Sequence, residues 1–318
     1  MKAMAASAAR RSGGHYREKQ VLVRVIWTVL IGAFALTMIV PFLWMISASM
    51  KRPLDVMKLP IDWIPDYWYP QNYMKVWNVG GVAARDYHFG LAYFNSLKIA
   101  FINLSGSVLT STLAGYAFAK IKFRGATGIF FLYLATMMIP SQVTLIPKFI
   151  LFNEIGISGT HLTLILPGLI TVTGTFLMRQ YFMQVPDELR ESGYVDGASE
   201  LRIWAQIMVP IAAPGMASLA MVVFLWNWNN YLDPLVFLTN WRLYTIPIAL
   251  TNFIEESVTE YNLVMAASAS ALLPVFIVFL AGQKFFVKGL MAGAVKGYGG
   301  ISDGKNHLGR QARGACPC

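Results

Sequence analysis

Two groups of residues in this sequence have types and spacings that point to chemistry. The first lies in "ELRESGYVDGASELRIWAQIMVP", residues 188–210, where Glu188, Arg190, Glu191 and Asp196 stand between two oily stretches. Charges of both signs around an Asp196-Gly197 turn are too polar for lipid, and an ordinary cytoplasmic loop fits them as well as a structured helix–turn–helix elbow does. The second group is Trp226, Asn229, Asn230 and Asp233, spaced i, i+3, i+4, i+7, which places them on one stripe of a helix. An indole face stacks on the C–H surface of a sugar, and amides and a carboxylate bond its hydroxyls. Helix packing with an interfacial aromatic girdle fits the same spacing, and both readings stand at this point. Hydrolytic catalysis has no constellation. There is no G-x-x-x-x-G-K-[ST] loop and no H-E-x-x-H, and His15, His88, His161 and His307 are scattered. No metal site is expected. Cys316 and Cys318 stand one residue apart in a polar tail, too few ligands for a metal and too close for an unstrained disulfide.

Composition says what must position these groups. The chain of 318 residues is 56% hydrophobic and 13% charged, and its mean hydropathy is +0.51. A soluble domain carries roughly 25% charged residues. Six charge-free runs reach the roughly 20 residues that a bilayer-crossing helix needs: 25–50, 99–119, 125–147, 155–178, 203–232 and 261–283. The expected fold is therefore an all-α membrane protein with six transmembrane helices. The first run, of 26 residues, exceeds the roughly 7–15 of a signal h-region and reads as an uncleaved span. With the N-terminus in the cytoplasm, 18 of the 26 Lys and Arg fall on the cytoplasmic side. That asymmetry puts both termini inside, with Lys51 and Arg52 as exceptions on the outer side. The net charge of +10 is then a topology signal, and no nucleic-acid partner is expected.

The expected division is a cytoplasmic segment 1–24, a first transmembrane helix 25–50, an extracytoplasmic segment 51–90, a core of five spans over 91–297 and a disordered cytoplasmic tail 298–318. The outer segment is rich in Trp, Tyr and Pro, as an interfacial belt or a docking surface for an extracytoplasmic partner would be. Ser107, Ser111, Gly115 and Ala119 form a four-residue stripe that lets helix backbones approach. Lys98 reads as a snorkelling base near a span end. Pro140 and Pro147 should bend the third span; only the second lacks a proline. Over 186–201, Pro186 with Asp187 and Glu188 starts a short helix, Asp196-Gly197 turns it, and a second helix from about Ala198 continues into the fifth span.

This stretch resembles the signature loop of ABC-importer permease subunits: Glu-Ala-Ala, three residues, Gly, nine residues, then Ile-x-Leu-Pro. Glu191-Ser192-Gly193, Gly197 and Ile207-Met208-Val209-Pro210 keep that spacing, with Ser-Gly for Ala-Ala and Val209 for Leu. "VDGAS" (195–199), "YFNSLKIAF", "LAGYAFAKIKFRG", "WNNYLDPLVFL" and "QKFFVKGLMAGAVKG" extend the likeness to the maltose-type sugar permeases over roughly 25–297. The resemblance implies the type I ABC-importer permease fold, no enzyme activity and no cofactor in this chain. ATP and Mg would be bound by two partner ATP-binding subunits. A second, different permease subunit, an extracytoplasmic sugar-binding protein and the lipid of a bacterial inner membrane complete the expected partners.

It further implies that 186–201 is a coupling helix. Glu191 would pair with a base in an ATPase cleft, Gly197 would make the turn, and Ile207 and Pro210 would seat the next helix. Ser192, Gly193, Asp196 and Ala198 complete the expected coupling set. An internal salt bridge of Glu191 with Arg190 or another nearby base is the competing expectation. Trp226, Asn229, Asn230 and Asp233 are the expected substrate-pathway residues, with Asp233 where the family commonly has an aromatic. An ion-driven secondary transporter is the rival class. It is disfavoured by nearly charge-free spans and no clear internal repeat. A non-transporting membrane scaffold is the third possibility.

Overall fold

A computed structural model describes residues 2–77, 89–256 and 260–294. Residues 78–88 of the outer segment and the tail with Cys316 and Cys318 lie outside the described residues, as do the side chains before Gln20. The described secondary structure is helical throughout. Five helical segments have the length and apolarity to cross a membrane: Gln20–Ser49, Phe89–Lys120, Leu162–Phe182, Glu200–Trp228 and Tyr261–Lys284. They are the first, second, fourth, fifth and sixth spans. The third apolar run forms a shorter helix, Ala126–Met138. Its last turn tightens to a 3-10 turn, and Ile139 is extended at φ −84° and ψ 116°. Pro140 explains the stop, because a proline ring disfavours helical geometry in the residue before it. The sequence suggested a bend here; the structure has a break, after which Leu145–Glu154 is a separate helix.

The chain divides into two compact units. One holds residues 1–76 and 254–270. From Gln20 to Leu43 the first span is exposed, an apolar surface suited to lipid. Its end is tied down by Asn72, whose Nδ2 donates to the carbonyls of Ser49 and Lys51, each at 2.8 Å. Asn262 Nδ2 in turn donates to Asn72 Oδ1 at 2.8 Å. Lys51, an exception to the charge asymmetry, is only 2% exposed. Its ammonium donates to the carbonyl of Asp62 and lies 4.3 Å from the Trp44 ring centroid, so a buried cation has both a dipole and a π face.

The other unit holds residues 77–253 and 271–318. Its centre is the second span packed on the fourth and fifth, around Tyr116, Met178, Phe182, Ile203, Met208 and Leu219. The small-residue stripe is what brings these helices together. Ser107, Ser111 and Gly115 are buried, and a Cβ at Gly115 would lie 2.8 Å from the backbone nitrogen of Arg179. The fourth span is two helices, Leu162–Gly168 and Val172–Phe182. Between them Thr171 is extended, and its side chain caps the second helix by accepting from Gly174 N at 2.9 Å. Carbonyls at and before this break find donors on the second span. Thr110 Oγ1 donates to Leu169 O at 2.6 Å and Asn103 Nδ2 to Leu164 O at 3.2 Å. Backbone groups freed inside a membrane need such partners.

Candidate functional site

The charged stretch folds as an elbow. A helix runs Glu188–Val195, with Glu188 and Glu191 in its first turn, where the dipole favours acids. Gly197 adopts φ +75°, and the backbone closes around it: Gly197 N donates to Tyr194 O at 2.9 Å and Ala198 N to Gly193 O at 3.0 Å. This is the paired bonding of a Schellman motif, whose left-handed position favours glycine. The next helix starts at Glu200, widens to a π turn over Trp204–Met208 and continues as Val209–Trp228. Pro210 falls in the first turn after the π stretch, where its missing N–H is tolerated.

Gly193 is buried on the inner face of the elbow, and a Cβ there would stand 3.0 Å from Ile203 and 3.1 Å from Ile207. Its small size thus serves close packing, alongside any loosening of the helix. Glu191, Ser192, Asp196 and Gly197 are exposed, Ala198 is half-buried, and Ile207 packs on the core. Arg190 is not available to Glu191. Its guanidinium is held by Glu200, and Tyr194 shares the same carboxylate. The hydrogen bond to Glu200 is the main cause pushing the Arg190 and Tyr194 pKa values up. Among the described residues Glu191 has no ion-pair partner.

The base of the elbow is pinned separately. Lys120, buried at the end of the second span, donates to Val185 O and to Asp187 Oδ1, each at 2.5 Å. Lys120 lowers the Asp187 carboxyl below its usual range, first through this hydrogen bond and then through its charge. A carboxyl whose folded pKa is depressed contributes stability above its unfolded pKa and loses it as pH falls through the folded value. In detergent, the melting-temperature gap between the parent and Asp187→Asn should hold steady down to about pH 5 and close below about pH 4. A gap that widened in acid would contradict the assignment.

The second group behaves differently from its spacing. The fifth span ends at Trp228, and Asn229 (φ −94°, ψ 1°) terminates it, so the four residues do not share one helical stripe. The asparagines bond their own turns. Asn229 Nδ2 donates to Leu225 O at 2.9 Å, and Asn230 Nδ2 donates to Asp233 Oδ2 at 2.8 Å. Such side-chain bonds compete with helix continuation. Trp226 and Asn229 are exposed. Asn230 and Asp233 instead line a cavity of about 230 Å³ with Lys148, Thr163 and Asn227, beside Leu164 and Phe237. Asn227 is anchored there by Asn103, whose Nδ2 donates to Asn227 Oδ1 at 2.5 Å. Lys148, Thr163 and Asn227 were not singled out by spacing. The first two stand on other helices, and only the break after Trp228 turns Asn230 towards them.

A family profile described as "Binding-protein-dependent transport system inner membrane component" matches residues 107–291, more than half of the chain. The chain belongs to this family. It is an inner-membrane transport subunit rather than an enzyme, of a kind that works with an ATPase, a substrate-binding protein and a second permease. The permease is 31% identical to the arabinooligosaccharides transport system permease protein AraQ of Halalkalibacterium halodurans, over 85% of this chain and 96% of that one. It is 33% identical to the sn-glycerol-3-phosphate transport system permease protein UgpE of Yersinia enterocolitica, over 74% of this chain and 85% of that one. In fold it is similar to a solved bacterial ABC transporter involved in alginate import. The TM-score is 0.73 at 22% identity, covering 83% of this chain and 96% of that chain.

Proposed function

We propose that this permease carries a carbohydrate or a related polyol across the membrane, delivered by the binding protein and driven by two ATP-binding subunits. The second permease subunit is taken to be a different chain. Both termini face the cytoplasm, and residues 186–201 are the point where the ATPase engages. The observation that carries this reading is the pairing pattern of the elbow. Arg190 is consumed by Glu200, whereas Glu191 stands exposed beside it with no ion-pair partner among the described residues. An unpaired acid on a rigid, exposed helix is suited to a basic cleft, and a desolvated pair there would fix the register between moving bodies. Ser192, Gly193, Asp196, Gly197 and Ala198 shape the elbow, and Ile207 and Pro210 seat the helix behind it.

The carbohydrate class is supported by relatives named for the transport of arabino-oligosaccharides and of sn-glycerol 3-phosphate, a polyol phosphate. The chemistry of the cavity is in keeping with them. Asn227, Asn230, Asp233 and Thr163 offer donors and acceptors for hydroxyls, with Phe237 as an apolar wall. Asn230 and Asp233 are the pathway residues favoured by this geometry; Trp226 and Asn229 remain pathway residues only if a second subunit covers them. The test is uptake by the assembled transporter in vesicles with ATP supplied inside, offering an arabino-oligosaccharide panel and glycerol 3-phosphate. ATP-dependent uptake of one of these is expected, and uptake by the lone subunit down an ion gradient would overturn the reading. With the binding protein saturated, replacing Asp233 with Asn should lower the maximal uptake rate by about tenfold, the loss of one charge-assisted hydrogen bond. An unchanged maximal rate would remove the cavity from the pathway.

A further inference from the structure

The carboxylate of Glu200 joins three elements that the Schellman turn alone would leave free to hinge. Its Oε2 accepts from Tyr116 OH of the second span at 2.5 Å and from Arg190 Nε of the elbow helix at 3.4 Å. Its Oε1 accepts from the other side of the Arg190 guanidinium and from Tyr194 OH. Arg190 also donates to Tyr194 OH at 2.8 Å and lies 4.9 Å from that ring centroid. Glu200 itself opens the fifth span. One turn beyond Tyr116 on the same helix, Lys120 holds Val185 and Asp187 at the other end of the elbow.

We propose that Glu200 is a positioning residue that locks the elbow to the second and fifth spans, so that a push on the elbow is delivered to both spans. The inference rests on the reading of the elbow as the ATPase contact. Without the lock, Gly197 is the weak point. Its φ of +75° is glycine-like, and a Cβ built there would meet nothing within 4 Å, so no side-chain packing braces the turn at this position. A lone surface ion pair would be too weak to carry force. Here one carboxylate is shared by three side chains, one of them the buried Tyr116, and a satisfied polar network of this kind rigidifies its surroundings. Because Tyr116 and Lys120 grip opposite ends of the elbow from one helix face, rotation about either contact is opposed by the other.

The test places spin labels at Val195→Cys, on the exposed end of the elbow, and at Lys122→Cys, in the turn after the second span, with Cys316 and Cys318 replaced by serine. Distances are measured in the assembled transporter in lipid vesicles, without nucleotide and with ATP plus vanadate. The expected result is one narrow distance in both states for the parent and its loss in Glu200→Gln. Glu200→Asp, which keeps a carboxylate able to accept from Tyr116, Arg190 and Tyr194, should restore most of the narrow population, which a role confined to folding would not do. A Glu200→Gln variant as narrow as the parent overturns the proposal, as does a parent distance that changes with nucleotide. If Glu200→Gln fails to accumulate, Tyr116→Phe, lacking a single hydroxyl, is read against the same two outcomes. Failure of the elbow reading is seen separately, as an ATPase that does not stay with the permease on purification; the nucleotide-free comparison then still decides the role of Glu200.

Discussion

The Glu191→Lys permease is expected to assemble in the membrane with its partners and leave ATP hydrolysis running, while solute uptake falls by about a hundredfold or more. That magnitude follows from the cost of placing a like charge against a basic cleft in place of a desolvated pair, about 3–5 kcal/mol. The fold should be untouched. Glu191 is exposed and bonds to no other side chain in the described structure, while the local ion pair is the one between Arg190 and Glu200. Measuring uptake and ATP hydrolysis on the same vesicles separates loss of coupling from loss of protein. Uptake at the parental rate would mean that Glu191 is an ordinary surface acid.

A second large effect is expected from packing alone. Gly115→Ala should destabilise the permease by about 1–3 kcal/mol, because the new methyl group overpacks a backbone-to-backbone contact. The Cβ would lie 2.8 Å from Arg179 N and 2.8 Å from Met178 Cβ, and a main-chain atom cannot swing aside as a side chain can. Gly128→Ala is the matched control. It makes the same chemical change inside the Ala126–Ala135 helix with nothing within 4 Å, so only helix propensity changes, in the stabilising direction. Thermal unfolding of both variants in detergent checks the pair. Equal shifts would mean that the close approach of the second and fourth spans contributes nothing.

The contrast between those glycines shows what was legible in the sequence. The spacing of Ser107, Ser111 and Gly115 announced a packing face, but only the structure identifies the partner as the helix Val172–Phe182. The apolar runs were legible because charge is nearly excluded from them. Their internal breaks were less so: Pro140 signals one, while the break before Thr171 depends on Thr110, more than fifty residues away. The elbow was readable down to its turn, since Gly197 at a helix end is a local signal. Glu200 was passed over because its importance lies in a bond to Tyr116, 84 residues away, which no local pattern encodes. The stripe from Trp226 to Asp233 misled for the opposite reason. Periodicity assumes a helix that continues, and asparagine side chains bonding their own turn end this one at Trp228.

The account turns on the elbow being the ATPase contact on the cytoplasmic face. Its most direct test is the reactivity of Ser192→Cys, beside Glu191 on the exposed surface, in permease whose Cys316 and Cys318 have been replaced by serine. A membrane-impermeant thiol reagent is applied to right-side-out and inside-out vesicles, with and without the ATP-binding subunits. The account predicts labelling only from the cytoplasmic side and protection when those subunits are bound. Labelling from the outer side, or labelling unaffected by the bound subunits, would contradict it.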